Sequence, residues 1–400
     1  MLRHLILIVA TILSAFSTFA AQLSDQAEIR LMTIGPTQRE LYSAFGHSAF
    51  IVVDPIQKIS NAYNYGIYDF EQPNFYLNFT KGRPVYKLGV YEYQRMSQFY
   101  IRENRSIVEQ TLNLTPKEMQ QLFDYLEENR KPENQDYVYN YVYDNCATKM
   151  RDVVEAVLGP KITFQYEYAS QQLTLRELMD LYMVEQPWGD FGIDICLGVQ
   201  IDKVASGSEY MFLPDYVEKA FASATITREG KEVPLVSNTR EIFEPVPEPD
   251  VSAPIKPVMV TILLFLMIGL FTHRGLKYGL SYRGLDYTIL AITGIIGVLL
   301  SVLWFGTDHL SKYNWNLLWA MPLNLPAIYF LLRKKIKPFV KYYFLLLGSV
   351  QVILIVFHGI LPQALHIALI PLILAIAIRS FYVFFDLNRK EKGERYFYSK

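Results

Sequence analysis

Tyr143-Asp144-Asn145-Cys146-Ala147-Thr148 is the stretch where extended chain turns into helix. From Ala147 onward, Met150, Val153, Val154 and Val157 recur on one helical face, and the run stops at Gly159-Pro160. Asp144, Asn145 or Cys146 itself must therefore open the helix. The unpaired backbone N–H groups at such a start favour a thiolate and can receive an oxyanion. A free cysteine is also commonly just a small buried apolar side chain, so position alone does not make Cys146 a nucleophile. The residues around it decide.

His47 is the only histidine between the N-terminal leader and the apolar C-terminal region. It sits in Phe45–Val53, an apolar, strand-like run bounded by Gly46 and Asp54-Pro55. An imidazole beside a thiol lowers the thiol pKa and serves as general base. A third group should orient that imidazole. Asn64 and Asp69, on the expected strand Tyr63–Phe70, are the candidates, and Asn64 is the choice. The other cysteine, Cys196, offers the competing reading: a disulfide with Cys146 in an oxidising compartment would silence the thiol. Two cysteines give neither a disulfide framework nor zinc-ligand spacing, and no metal or organic cofactor is expected.

Further expected strands and helices fill the same region. Val85–Val90 reads as a strand. Thr115-Pro116-Lys117-Glu118 is a capping box opening a helix to Asn129, and Thr174 with Glu177 caps another to Met183. Tyr137, Tyr139, Tyr141 and Tyr143 alternate as on a strand with one tyrosine face. The functional alternatives are a belt at lipid head groups or the wall of an acyl groove. Arg151-Asp152 reads as a surface ion pair. Gly207–Pro214 is read as a loop on the bilayer or a strand end. The fold class expected for residues 21–243 is α+β.

Residues 1–20 read as a secretory signal, with Arg3 and His4, the apolar Leu5–Leu13, and Thr18-Phe19-Ala20 before cleavage. Prolines crowd residues 244–256, where a stiff linker is expected. Beyond it, apolar segments at 257–273, 286–306, 313–332, 339–361 and 363–385 predict an all-α membrane domain of about five spans over 257–388. Pro322 and Pro326 interrupt the third. Arg274, Lys277 and Arg283, then Arg333, Lys334, Lys335 and Lys337, then Arg389, Lys390 and Lys392 follow alternate spans. The positive-inside rule puts them, with the tail 389–400, in the cytoplasm, and the globular domain outside. His309 falls in an exported loop and is a candidate for shaping a substrate site, with His358 and His366 weaker ones. A net charge of −1 gives no reason to expect nucleic acid as a partner.

A strand histidine followed by an Asn-Cys that opens a helix resembles the permuted papain-like thiol fold shared by NlpC-like amidases and the lecithin:retinol acyltransferase group. Asn145-Cys146 and His47 stand in those places, whereas the second histidine of those acyltransferases is missing. A wider resemblance covers nearly the whole chain. Phe45-Gly46-His47, Tyr63–Phe70, Tyr143–Thr148 and Asn316-Leu317-Leu318-Trp319 are similar to the Lnb family of lipoprotein N-acyltransferases. That resemblance implies a bacterial inner-membrane enzyme with a periplasmic catalytic domain. It implies transfer of a fatty acyl chain from a phospholipid donor to the α-amine of a diacylated lipoprotein through a Cys146 thioester. His47 and Asn64 are then catalytic, and Asn145, Tyr143 and His309 are expected at the substrate. The competing expectations are a membrane-tethered cysteine amidase or peptidase acting on cell-wall peptides, and a non-catalytic lipid-binding or transport protein.

Overall fold

The computed structural model describes residues 21–247 and 253–393. The leader expected at 1–20 lies outside these residues, as do 248–252 of the linker and 394–400 of the tail. In chain order the first part contains β1 (Glu28–Ile34), β2 (His47–Asp54), β3 (Ile59–Ile67), α1 (Phe75–Thr80), β4 (Val85–Glu92), α2 (Tyr93–Arg102), β5 (Ile107–Leu112), α3 (Pro116–Asn129), β6 (Asp136–Val138) and α4 (Cys146–Leu158). It continues with β7 (Ile162–Thr163), α5 (Leu175–Met183), α6 (Pro187–Cys196), α7 (Gly207–Tyr210), α8 (Pro214–Ser223), β8 (Thr225–Arg228), β9 (Lys231–Pro234) and β10 (Val236–Phe243). The domain is α+β. Its main sheet is antiparallel, in the order β10-β5-β1-β2-β3-β4-β6.

The central strands bury apolar side chains on both faces, because both faces of the sheet are covered. Ile29, Leu31, Phe50, Val52 and Tyr63 pack against Met150, Val153 and Val154 of α4. Met32, Ile34, Ala49, Ile51 and Ala62 pack against Met96 and Tyr100 of α2. Each such side chain fully buried is worth about 1.5–3 kcal/mol. The α4 helix therefore lies flat on β2 and β3, with its N-terminus over the end of β2 that begins at His47. Gly66 in β3 takes φ 96°, a backbone that side-chain-bearing residues avoid, and lies in van der Waals range of the start of α4, 3.6 Å from its Cβ position to the Cβ of Cys146.

Two readings are corrected here. Gly207–Pro214 is neither a bilayer loop nor a strand end: α7 occupies its start, and Tyr210, Met211, Phe212 and Leu213 are buried inside the domain. The tyrosine alternation before Cys146 belongs to a strand only at Asp136–Val138. Beyond it the chain turns, closed by reciprocal backbone bonds between Asn140 and Asp144.

The second part holds α9 (Pro257–Tyr278), α10 (Arg283–Gly306), α11 (Asn324–Leu331), α12 (Pro338–Val356) and α13 (Leu369–Lys392). Among the described residues, 4 helices are long and apolar enough to cross a membrane: α9, α10, α12 and α13. The third apolar segment is broken, as its prolines require. It forms a 3-10 turn at Trp315–Leu318 and the short α11. Such a break survives at membrane depth because neighbours satisfy its polar groups. Asn324 is held by Thr293 of α10 (2.7 Å) and by the Tyr343 hydroxyl of α12.

The two parts are joined by polar contacts. The turns 306–314 and 357–366 lie against the first part. Gly198 N–H donates to the Leu310 carbonyl (2.9 Å), Ala364 N–H to Asp202 (3.0 Å), and Gln363 to the Leu197 carbonyl (2.9 Å). Asn316 is wholly buried. Its amide donates to the Asp194 carbonyl (3.0 Å), and its oxygen accepts from the Trp319 indole (2.7 Å). At the opposite end of the bundle, Arg283 pairs with Asp386 (2.6 Å) and Lys341 with Glu391.

Candidate active site around Cys146

Asn145 caps α4. Its side-chain oxygen accepts from the N–H groups of Ala147 (2.8 Å) and Thr148 (2.9 Å). Its amide donates to the carbonyls of Tyr141 (2.8 Å) and Phe212 (2.8 Å). Both lone pairs and both protons are thereby used, so Asn145 fixes the helix start and has no polar capacity left for a substrate. Cys146 then occupies the first helical position. Among the described residues nothing accepts its backbone N–H, as expected for a first-turn donor.

His47 opens β2, and its ring is flanked by Asn64 and the Cys146 thiol. Nε2 lies 2.6 Å from Asn64 Oδ1, which leaves Nδ1 to serve the thiol. A carboxamide oxygen can only accept, so Nε2 carries a proton and Nδ1 of the neutral ring is the basic nitrogen facing the sulfur. Burial pushes the thiol pKa up. The His47 charge and hydrogen bond, then the N–H groups of Ser48 and Ala147, outweigh it and hold the thiol below its ordinary value. For His47 burial pulls the pKa down, and the facing sulfur and the Asn64 bond bring it above the ordinary value. Both directions favour a thiolate–imidazolium pair. Both cysteines are free, and Cys146 is partly exposed and so open to a ligand.

Asn64, not Asp69, meets the imidazole, because Asp69 lies outside β3 and pairs with Lys87 (3.6 Å). Tyr143 is exposed and faces Lys203 rather than the sulfur. His309 is not at the thiol either. It packs on Gly82 at the junction of the two parts, next to the Arg83–Asp308 pair. His366 faces Asp190 (3.3 Å), and His358 the Leu365 carbonyl (3.1 Å). Arg151 and Asp152 form the expected ion pair (2.7 Å). Asp190, Asp194 and His366 are the described residues of metal-ligand type that cluster, but the Arg176 guanidinium already neutralises Asp194 at 2.5 Å.

The sequence treats the four tyrosines alike, as a strand face, a head-group belt or a groove wall, and the structure singles out one of them. The Tyr137 hydroxyl is enclosed without a hydrogen-bond partner. It faces the Gly66 backbone, where a Cβ would stand 3.9 Å from it and 3.6 Å from Cys146 Cβ. Burial and the Cys146 charge both keep this phenol protonated, hence a donor. No spacing rule points to it, since the donor role comes from β6 ending beside the thiol.

The chain matches the family model of the Lnb N-terminal periplasmic domain over residues 17–180 and that of the Lnb transmembrane domain over residues 248–391. No curated protein and no solved structure is significantly similar to it.

Proposed function

The chain belongs to the Lnb family of membrane lipoprotein-processing acyltransferases, and from that premise we propose that Cys146 carries an acyl group from a phospholipid to the α-amine of a diacylated lipoprotein. The observation that supports this reading is the Cys146–His47–Asn64 row at a helix N-terminus, in a domain bolted to membrane helices. The inner-membrane placement with a periplasmic domain follows from the family. We place the C-terminus in the cytoplasm, because the basic turns gather at the end of the bundle away from that domain.

The thiolate attacks the ester carbonyl carbon. A C–S bond forms as the carbonyl electrons move to oxygen, and the Cys146 N–H and the Tyr137 hydroxyl are placed to receive that charge. Collapse breaks the C–O bond, and the imidazolium of His47 gives its Nδ1 proton to the departing lysophospholipid. The lipoprotein amine then attacks the thioester. The C–N bond forms, the C–S bond breaks, and the surplus amine proton returns to His47, which restores the ion pair. Asn64 holds the ring throughout. Tethering the site at the bilayer raises the effective concentration of two lipid substrates. The periplasmic domain at residues 21–243, the linker at 244–256 and a role for His309 or Tyr143 near substrate remain part of this proposal.

The test is incubation of full-length protein in vesicles with labelled phospholipid, with and without a diacylated lipoprotein. A hydroxylamine-labile acyl-protein in the wild type, absent in Cys146→Ser and discharged by the lipoprotein, is the expected result. Wild-type protein that stays unlabelled while cleaving cell-wall peptides would reverse the assignment.

A further inference from the structure

Buried guanidinium groups in this protein meet carboxylates. Arg176 lies between Asp194 (2.5 Å) and Asp202 (2.8 Å), and Arg379 against Asp286 (2.6 Å). Arg105 departs from this pattern. It is only 7% exposed. Its Nε donates to the Gly35 carbonyl (2.8 Å), its guanidinium carbon stands 5.0 Å from the centre of the Tyr100 ring, and Nη2 is enclosed without a hydrogen-bond partner. Among the described residues no carboxylate lies in ion-pair range of it, and the Glu103 charge acts on it only from farther away. A buried cation without a close counter-charge is costly, so an anion brought to this place from outside would be stabilised.

That place adjoins the thiol. Tyr100 packs on Arg105 and also on the His47 ring, with ring centres 6.3 Å apart. Ile34 pairs across the sheet with both His47 and Ile107. Arg105, two residues before Ile107, therefore stands at the same end of the sheet as His47 and the start of α4. The Cys146 charge acts on Arg105, and Arg105 disfavours the protonated form of His47. An anion bound at Arg105 would relieve that repulsion.

We propose that Arg105 receives the phosphate of the acyl donor, so that the site selects glycerophospholipids over uncharged glycerides. This rests on the acyl-transfer reading above. A glycerophospholipid carries its phosphodiester on the carbon next to the central ester, and a guanidinium fork suits phosphate oxygens. The anion would complete the guanidinium's hydrogen bonds while the neighbouring ester faces the sulfur. The sequence shows no sign of it, because Arg105 lies in an ordinary polar turn, Glu103-Asn104-Arg105-Ser106.

The test compares Cys146 acylation in full-length protein by dioleoylphosphatidylglycerol and by uncharged dioleoylglycerol. Arg105→Gln should slow acylation by the phospholipid about 100-fold, with Arg105→Lys in between. Both should leave acylation by the glyceride within about threefold of wild type. Equal losses with both donors, or no loss with the phospholipid, would overturn the proposal. Thermal unfolding followed by circular dichroism reports whether each variant is folded. Should Arg105→Gln not fold, Arg105→Lys decides by the same criterion. Inorganic phosphate that shields Cys146 from iodoacetamide as well as the phospholipid does would assign the pocket to free phosphate instead. A wild type that acquires no thioester from either donor removes the acyl-transfer reading and this proposal with it.

Discussion

Reactivity at the scale of single residues rests on the charge state of Cys146. Its pKa is lowered and that of His47 raised, so the ion pair exists between the two and is lost in both directions. As pH falls the thiolate is protonated. As pH rises past the His47 value the imidazolium disappears, so under the proposed mechanism, in which it donates to the leaving group, acyl-enzyme formation should trace a bell. Iodoacetamide alkylation reads the acid limb alone. Its midpoint should fall below that of an ordinary thiol, about 8.5, and His47→Gln should move it upward. A midpoint unmoved by that substitution would mean that the imidazole does not hold the thiolate. His47→Gln should also lower acyl-enzyme formation by about 10²–10⁴-fold, and Asn64→Ala by less, because the ring keeps its basic nitrogen but loses its anchor. Cys146 and His47 could be paired as candidates from the sequence because each stands at a chemically distinctive place in the chain, and the fold brings them together. Asn64 was a choice between two residues that register alone resolves. Arg105 and the Tyr137 hydroxyl were not legible, because an unsatisfied polar atom exists only once the chain has packed.

Elements were read best where a local signal fixes them. The capping boxes at Thr115 and Thr174 and the Gly159-Pro160 stop open and close helices where the sequence put them. The stretch from Tyr139 to Tyr143 misled, because its period of 2 persists while the backbone turns, and Asn140 accepts from the N–H groups of Val142 and Tyr143 (both 3.0 Å). That turn and Phe212 are both fastened to Asn145, so the cap links three segments. Asn145→Ala should therefore destabilise the periplasmic domain by more than an exposed cap, which costs about 1 kcal/mol. Two buried carbonyls would also lose their donor, at about 1–3 kcal/mol each. Thermal unfolding of the full-length protein checks this. A loss no larger than an exposed cap's would show that the Tyr141 and Phe212 bonds are dispensable.

Over the whole molecule, the membrane part holds the thiol domain in a fixed pose rather than merely anchoring it. Asn316, Asn314 and Gln363 reach up to the carbonyls of residues 194–197, and Arg176 ties Asp194 and Asp202 together behind them. Within Asn316-Leu317-Leu318-Trp319 the first residue carries the joint and the last braces it. The exposed Arg83–Asp308 pair should contribute only about 0–1 kcal/mol, whereas Asn316→Ala strips the Asp194 and Ile195 carbonyls and the Trp319 indole of a partner at once. The expected outcome is an intact thiol, judged by an unchanged alkylation rate of Cys146 in detergent, with slower acylation from vesicles. Such a split isolates the pose of the domain from its chemistry. Equal acylation rates in the two proteins would mean that the joint is not what presents the sulfur to lipid.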